Sequence, residues 1–483
     1  MRICMIAEGC YPFVPGGVSS WLQELILNMP EHEFVVWAIG AQEKMRGHYC
    51  YPIPSNVVQV QDVYLDTVLS EGLQSRKSGY HLSKNEWQEV RKLLSCKNPD
   101  WAVIYNCFVK NDVQPASFLL DRAFLDIIKS LCAEEFPYIS FSDYFWTLRS
   151  MFLPLLYLLS SPIPEADLYH SVSAGYAGVL GAMAALKYNR PYVLTEHGIY
   201  TREREEEILR SDWVKPHFKD LWINMFYMFT RCAYQSADCV TSLFHRASLI
   251  QQEIGCAAEK CSVISNGVHV ERFAKVPKKT PNGLVDIGAI VRVVPIKDIK
   301  TMLYAFALVE EQKPNVRLHI MGNTAEDEEY YQECVELTNE LRLQNVLFLG
   351  RVNVAEYLQN VDFTLLTSIS EGQPLAVLEA MAAGRPSITT DVGSCRELLE
   401  GVSDDFGLAG LCVPVMHQSA LAEAILKLCN DPKLLESMRE NGLKRVNTLY
   451  THQKMMEAYR NTYDCAIKAV QARGGGSNGG HRL

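Results

Sequence analysis

Three patterns that would point to particular chemistries are missing from this chain of 483 residues. It has no D-x-D sequence, so it does not offer a carboxylate pair of the kind that holds a divalent metal on a nucleotide diphosphate. None of its 15 cysteines has the C-x-x-C spacing of a zinc or redox site, and free thiols in a reducing compartment are the simplest account. Neither half opens with G-x-G-x-x-G, which argues against a nicotinamide oxidoreductase. We therefore predict no metal and no cofactor.

A basic excess and long apolar runs are also lacking. Lys and Arg number 46 against 56 Asp and Glu, a net charge of −10, which argues against nucleic acid or an anionic membrane surface as partner. The first eight residues are too short an apolar run for a signal peptide. The longest apolar stretch, 151–160, contains Pro154 and has about half the length needed to cross a bilayer. We expect a buried helix there and a cytoplasmic protein.

Short β-branched runs alternate with helical patterns along the chain, which is typical of βαβ units and parallel sheets. The alternation stops at 274–283, a segment with two prolines and three lysines that we interpret as an interdomain linker, and then restarts. The predicted fold class is α/β, with domains at 1–273 and 284–450 followed by a helix over 451–472. The glycine-rich end, 474–483, predicts a flexible tail. The predicted strands are 2–7, 34–39, 167–172, 192–195, 239–242, 284–290, 316–321, 346–349, 363–366 and 387–390.

Two clusters in the first half follow predicted strands, where open parallel sheets bind their ligands. Gly16 and Gly17 precede a helix, so their backbone could approach an anionic ligand closely; an ordinary turn, with Ser19 capping the helix, is the alternative. His197 follows another strand and could donate a hydrogen bond to a sugar hydroxyl or polarise a reacting group. A core histidine is the other interpretation.

The second half carries two cations on one short loop after its first strand. Arg292 can grip phosphate oxygens with two N–H groups, and Lys297 adds a point charge. Together they could stabilise a diphosphate leaving group. A solvated basic loop is the alternative.

The clearest pattern is 370–381, S-E-G-Q-P-L-A-V-L-E-A-M. Pro374 suits the first turn of a helix, whose free N–H groups point away from its start. Glu371 lies just before this helix, and Glu379 lies inside it among apolar residues, where a buried carboxylate usually needs a partner. Both carboxylates can accept hydrogen bonds from sugar hydroxyls.

The order of these motifs resembles the retaining GT-B glycosyltransferases of family four. The resemblance covers most of the chain and implies two Rossmann-like domains facing across a cleft, with the helix 451–472 returning to the first domain. The motifs that carry it are Gly16-Gly17, His197-Gly198, Asn266-Gly267, Arg292 with Lys297, and Glu371 with Glu379.

A finer resemblance is to the PelF subgroup, the cytoplasmic glycosyltransferase of Pel exopolysaccharide synthesis in bacterial biofilms. It is carried by residues 143–150, 173–178, 195–204 and 294–298. It implies a UDP-sugar donor, UDP-glucose or an N-acetylhexosamine analogue, and a growing glycan as acceptor. It also implies an inner-membrane polysaccharide synthase complex as a partner.

The resemblance assigns roles by position. Arg292 and Lys297 would bind the donor diphosphate, Glu379 the ribose hydroxyls, and Gly350 with Arg351 and Val352 the uracil. Glu371 would bind the donor sugar near its C3 hydroxyl, and His197 would contact the far hydroxyl of that sugar. Gly16 and Gly17 would lie near the phosphates and the acceptor. Backbone groups of Gly372, Gln373, Pro374 and Leu375 would complete the donor site.

This chain departs from the family pattern in the diphosphate loop. Family members often have glycine before the arginine and after the lysine, where this chain has Val291 and Asp298. Loop geometry from other branches therefore does not transfer directly.

The implied reaction retains the anomeric configuration: the acceptor hydroxyl attacks the face that the diphosphate leaves, and a departing phosphate oxygen takes the proton. The enzyme would contribute positioning and charge stabilisation. Two alternatives stay open, a non-catalytic nucleotide-sugar-binding subunit of a membrane synthase and a GT-B UDP-sugar epimerase.

Overall fold

A computed structural model describes residues 1–70, 80–110, 113–402 and 404–474. The chain forms two compact units. The N-terminal unit comprises residues 1–242, 248–262 and the described residues from 460 onward, and the C-terminal unit comprises 243–247 and 263–459. The predicted tail lies outside the described residues, except for Gly474 at the end of the last helix.

The described residues of the N-terminal unit form a seven-stranded sheet of order β3-β2-β1-β4-β5-β6-β7. Its strands are β1 (Arg2–Glu8), β2 (Glu33–Gly40), β3 (Val57–Tyr64), β4 (Leu168–Ser171), β5 (Tyr192–Glu196), β6 (Cys239–Ser242) and β7 (Cys261–Val263). The helices up to β7 are α1 (Gly17–Leu27), α2 (Thr67–Ser70), α3 (Lys84–Leu94), α4 (Trp101–Lys110), α5 (Pro115–Phe118), α6 (Arg122–Glu135), α7 (Phe141–Leu159), α8 (Tyr176–Tyr188), α9 (Tyr200–Arg210), α10 (Lys219–Ser236) and α11 (His245–Ile254).

The C-terminal unit has a six-stranded sheet, formed by its described residues, of order β10-β9-β8-β11-β12-β13 with parallel pairing throughout. Its strands are β8 (Val285–Ile290), β9 (Val316–Met321), β10 (Val346–Gly350), β11 (Phe363–Leu366), β12 (Ser387–Thr390) and β13 (Gly410–Val413). The remaining helices are α12 (Val270–Phe273), α13 (Ile299–Gln312), α14 (Glu328–Glu340), α15 (Val354–Tyr357), α16 (Leu375–Ala382), α17 (Cys395–Glu400), α18 (Gln418–Asn430), α19 (Pro432–Leu449) and α20 (His452–Gly474).

Each sheet is buried by helices, and each unit has its own hydrophobic core. This explains why a central strand such as β1 is apolar on both faces: its residues 3–7 are all fully buried. The predicted pair of Rossmann-like α/β domains with parallel sheets, the components of the GT-B class, is therefore confirmed.

The apolar stretch 151–160 lies largely in α7, which keeps Pro154 inside it. Met151, Phe152 and Leu153 are fully buried, as predicted for a core helix. Among the helices that the structure describes, none is long and apolar enough to cross a membrane.

The segment 274–283 is not the loose connection that its composition indicates. Lys279 is only 7% exposed, and its Nζ lies 2.6 Å from Asp286 and 2.7 Å from Asp362. It also donates to the carbonyl oxygen of Leu284. The sequence of this segment does not reveal the burial of Lys279, because its partner Asp362 is distant in sequence.

Candidate functional site

The candidate site in the C-terminal unit lies where the direction of strand order in its sheet reverses. From β8 the connections run to β9 and β10 on one side, whereas β11, on the other side of β8, leads to β12 and β13. Ligands bind outside the carboxyl ends of the strands at such a reversal. Lys297 follows β8, and Glu371 follows β11.

Lys297 and Glu371 form a partly buried ion pair. The Lys297 Nζ donates to the Glu371 Oε1, and the two side chains are 15% and 12% exposed. Ser368 donates to the same carboxylate oxygen at 2.5 Å. The structure thus brings together one predicted phosphate ligand and one predicted sugar ligand.

The loops that carry this pair are tied to each other. The Thr367 hydroxyl donates to the carbonyl oxygen of Lys297 at 2.8 Å, and the Ile369 N–H donates to the carbonyl oxygen of Ile296 at 2.9 Å. Asp298 adopts φ 48°, the left-handed conformation that glycine favours and that aspartate tolerates. It keeps this conformation while its carboxylate caps α13 at Thr301. The loop therefore has, at Asp298, the backbone that the family's glycine would allow.

Two close backbone approaches require glycine near these loops. A Cβ on Gly393, which has φ +53°, would lie 2.2 Å from the carbonyl oxygen of Gly372. A Cβ on Gly322 would lie 1.8 Å from the carbonyl oxygen of Val291. The backbone at Val291 and Gly372 is thus packed directly against Gly322 and Gly393, and neither of these glycines has room for a side chain.

We expect Gly393→Ala to lower the free energy of unfolding by about 1–3 kcal/mol, because alanine adds both a clash and an unfavourable φ. Gly16→Ala is the matched control, since a Cβ there meets no atom within 4 Å, and it should change stability by less than about 0.5 kcal/mol. Thermal melting of the two variants provides the comparison. Equal melting temperatures would contradict this packing of the loop.

Arg292 occupies the same loop as Lys297 but has a different partner. Its guanidinium pairs with Glu326, and the two side chains are 56% and 39% exposed. Ion pairs at this exposure contribute little, so the arginine can exchange Glu326 for a ligand at low cost. The structure does not place Arg292 in contact with Glu371.

Helix α16 begins at Leu375, one residue later than predicted, and Pro374 immediately precedes it. The first N–H groups of the helix have no acceptor within it. The side chain of Gln373 is buried and accepts a hydrogen bond from the Asn266 N–H at 2.6 Å, so it holds the Asn266-Gly267 turn. Because its side chain is engaged in this way, Gln373 is left to contribute backbone groups to the site.

Glu379 lies in α16, with its carboxylate partly buried. Its carboxylate makes no hydrogen bond to any residue that the structure describes. Burial raises the pKa of Glu379, and the positive charge of Arg272 opposes this only in part. A carboxylate without a hydrogen-bond donor is able to accept hydrogen bonds from ligand hydroxyl groups.

The predicted uracil segment follows β10, two strands away from β8. Gly350 has φ +63° and accepts a hydrogen bond from the Gly322 N–H at 2.8 Å. Arg351 is exposed and Val352 is half-buried. The segment lies on the same sheet edge as the ion pair.

In the N-terminal unit, Gly17 is the first residue of α1, and Gly16 precedes it in an extended conformation. The Gly16 N–H donates to the Tyr51 hydroxyl at 3.2 Å. The Ser19 hydroxyl donates to the carbonyl oxygen of Val14 and does not cap the helix, so the prediction of a Ser19 cap was wrong.

His197 follows β5 and packs edge-on against Trp21 with ring centroids 4.5 Å apart. Its Nε2 is buried and has no partner among the residues described. Burial lowers the pKa of His197 to about 4, so the imidazole is neutral at pH 7. A neutral ring with one unused nitrogen can still exchange a hydrogen bond with a hydroxyl group.

Sequence reasoning missed Glu8, the last residue of β1, next to the order reversal between β1 and β4. Its carboxylate accepts hydrogen bonds from Ser173, the Ala177 N–H and Tyr200, and so joins the segments after β4 and β5. Burial raises the pKa of Glu8, and the hydrogen bonds from Ala177 and Ser173 oppose this. An acid directly after the apolar run 3–7 was the available signal.

The comparisons with known proteins define the class: this chain is a glycosyltransferase. Residues 271–445 match the family described as Glycosyl transferases group 1. The chain belongs to the family described as Domain of unknown function (DUF3492), which matches residues 1–259, more than half of its length. The predicted relation to GT-B glycosyltransferases is confirmed at this level.

Similar curated proteins are also glycosyltransferases. The MMP alpha-(1->4)-mannosyltransferase of Mycolicibacterium hassiacum is 25% identical over 296 residues, 60% of this chain and 69% of that protein. The capsular polysaccharide biosynthesis glycosyltransferase CapM of Staphylococcus aureus is 26% identical over 314 residues, 62% of this chain and 76% of that protein.

Among solved structures, Anabaena HepE in complex with UDP has a TM-score of 0.61 at 16% identity, with 96% of this chain and all of that chain covered. The sucrose-phosphate synthase of Thermosynechococcus elongatus has a TM-score of 0.60 at 16% identity, with 97% and 99% covered. At these identities the two structures support the fold.

Proposed function

We propose that this protein is a retaining hexosyltransferase that uses a UDP-sugar donor and extends an exopolysaccharide. The observation that carries the proposal is the Lys297–Glu371 ion pair at the order reversal of the second sheet. A sugar diphosphate has an anionic diphosphate and a neutral sugar joined by one bond. A site for it therefore requires a cation for the phosphates in contact with an acid for the sugar hydroxyls.

The diphosphate would bind at the loop 291–298. Lys297 would keep Glu371 as one neighbour and gain phosphate oxygens as another, while Arg292 would leave Glu326 for the diphosphate. Both cations would act most strongly as the sugar departs, because negative charge on the diphosphate then increases.

The nucleoside would bind along the same sheet edge. The partnerless Glu379 carboxylate would accept hydrogen bonds from the ribose hydroxyls, and the first N–H groups of α16 would face the phosphates. Backbone groups of Gly350, Arg351 and Val352 would hold the uracil.

The sugar would lie against Glu371, with the neutral His197 imidazole contacting its far hydroxyl. The acceptor hydroxyl would attack the face that the diphosphate leaves, and the departing phosphate oxygen would take the proton. Gly16 and Gly17, at the start of α1, would approach the phosphates and acceptor. The protein then supplies position and charge stabilisation, with no covalent sugar–protein bond.

Relatives support the choice of donor and product. HepE has been crystallised with UDP-glucose, and CapM belongs to capsular polysaccharide biosynthesis. We propose UDP-glucose as the first donor to test, a glycan acceptor, and a PelF-like role in the cytoplasm beside an inner-membrane polysaccharide synthase complex.

Product analysis tests this proposal. The purified chain with UDP-glucose and a glycan acceptor should release UDP and lengthen the acceptor with an α-linkage, the configuration of the donor, as read by NMR. Free epimerised UDP-sugar would instead establish an epimerase. Absence of affinity for any nucleotide in a calorimetric titration would favour a structural subunit.

Metal removal provides a further prediction. Because Lys297 and Arg292 would neutralise the diphosphate, EDTA should change the rate of transfer by less than about twofold. Saturating UDP at about 100 times its Kd should stabilise the protein by about 2.7 kcal/mol in the same buffer. Loss of activity with EDTA and recovery with Mg²⁺ would contradict the role of the two cations.

A further inference from the structure

A polar cavity lies in the C-terminal unit, at the amino ends of its β-strands. Lys297 and Glu371 follow the carboxyl ends of strands in the same sheet. The cavity has a volume of about 270 Å³ and is formed around the amino ends of β8 and β9. Asp286, the second residue of β8, is paired in register with Arg317, the second residue of β9. The cavity is therefore separated from Lys297 and Glu371 by the full length of β8, and nothing in the proposed transfer reaction uses it.

A buried acid organises the cations around this cavity. Asp286 accepts hydrogen bonds from Arg317 Nε at 2.7 Å and His319 Nε2 at 2.8 Å, and Lys279 Nζ lies 2.6 Å away. Burial alone would raise the pKa of Asp286, but the hydrogen bonds from Arg317, Lys279 and His319 outweigh it and hold that pKa well below its usual range. The carboxylate is thus a fixed anchor for the Arg317 side chain.

Arg317 uses only one of its nitrogens on this anchor. Its Nε contacts Asp286 and His319, whereas its two terminal nitrogens have no partner within the part of the chain that the structure describes. A guanidinium whose orientation is already fixed presents a planar fork that matches phosphate oxygens. Lys278 also lines the cavity; it is 62% exposed and pairs with Glu436 at the surface, an interaction that is easily exchanged.

The remaining wall includes polar groups that can bind hydroxyls. Asn282, Gln359 and Asn360 line the cavity with amide groups, which both donate and accept. The His319 Nε2 carries the proton given to Asp286, so its Nδ1 accepts from the Tyr357 hydroxyl at 2.8 Å. The phenol oxygen of Tyr357 is left able to accept a hydrogen bond from a ligand.

We propose that this cavity binds a phosphorylated monosaccharide, with the phosphate on Arg317 and Lys278 and the sugar hydroxyls on Tyr357 and Asn360. The volume is just below the range of about 300–1,000 Å³ typical of drug-sized ligands, so a sugar phosphate fits better than a nucleotide sugar. The site is independent of the proposed donor site, and it stands whether or not the protein uses UDP-glucose.

Calorimetric titration of the full chain with glucose 6-phosphate tests the site, with and without excess UDP. We expect saturable binding that UDP does not displace, and much weaker binding of glucose. Competition by UDP would overturn the proposal, as would absence of heat at millimolar sugar phosphate. Inorganic phosphate binding as tightly as glucose 6-phosphate would overturn the assignment of the hydroxyl-binding wall.

Two variants locate the binding. Arg317→Gln should weaken glucose 6-phosphate at least tenfold, and Lys278→Gln, an exposed change that leaves the Asp286 network intact, should weaken it about threefold. Lys275→Gln removes the same charge three positions away, outside the cavity, and should leave the affinity unchanged. Binding unaffected by both Arg317→Gln and Lys278→Gln would place the ligand elsewhere. UDP affinity should be the same in all three variants.

Discussion

Replacing Lys297 by Gln is expected to lower the turnover number with a UDP-sugar donor by about 10²–10³-fold, the loss typical of removing one fixed donor to a developing anion. Glutamine keeps most of the side-chain volume and can still contact Glu371, so the change isolates the positive charge. Steady-state rates of UDP release measure the effect. A turnover number within threefold of the native value would remove Lys297 from the proposed mechanism.

Two companions separate chemistry from folding. Lys300→Gln removes a charge three residues later in α13, where Lys300 pairs with Glu333 at 2.9 Å, and should leave turnover unchanged. Lys297→Gln also leaves the partly buried Glu371 without its cation, which should lower the melting temperature. The double variant Lys297→Gln with Glu371→Gln should regain stability while remaining inactive.

Glu379→Gln is expected to move stability and ligand binding in opposite directions. The variant should weaken UDP at least tenfold, because an amide replaces the carboxylate that would accept from both ribose hydroxyls. It should also raise the melting temperature at pH 7.5, by roughly 2–4 °C per kcal/mol gained, because the charged carboxylate is partly buried without a hydrogen-bond donor. Calorimetric titration and thermal melting measure the two effects.

The pH dependence of stability determines the direction of the expected change in melting temperature. The pKa of Glu379 is raised in the folded protein, so the folded state binds the proton more tightly than the unfolded state. Its contribution to stability is therefore present below the pKa of an ordinary glutamate and is lost as pH rises through the folded value. Glu379→Gln should abolish the part of the stability loss with rising pH that is due to ionisation of Glu379. Glu423→Gln, an exposed glutamate of α18, should change neither stability nor UDP affinity, and a matching rise in its melting temperature would contradict the explanation.

Much of the fold was predictable because buried parallel strands are short apolar runs between turns. The predicted bounds of β6, β9, β11 and β12 agree with the structure. The edge strand β3, V-V-Q-V-Q-D-V-Y, was missed because its polar alternation reflects partial exposure. Strand β7, with three residues, is too short to give a period, and β13 was also missed.

The candidate site was predictable to a similar extent. The strand-end rule placed Lys297 and Glu371 on one edge, and the structure puts them in contact. The rule gives no information on side-chain partners, so it missed that Arg292 pairs with Glu326 and that Gln373 turns inward to Asn266. Those choices depend on residues that are distant in sequence and close only after the sheet forms.

The contact between Lys297 and Glu371 has a consequence for selectivity among the many anions in a cell. Because its ammonium group is already paired with a carboxylate, Lys297 does not present a bare positive charge in the absence of a ligand. Orthophosphate or a nucleoside monophosphate would compete for that ammonium and bring no hexose to occupy Glu371. In the proposed function, the ligand that best matches this pair carries phosphate and hexose together, so discrimination among anions would take place at binding, before any bond is made or broken.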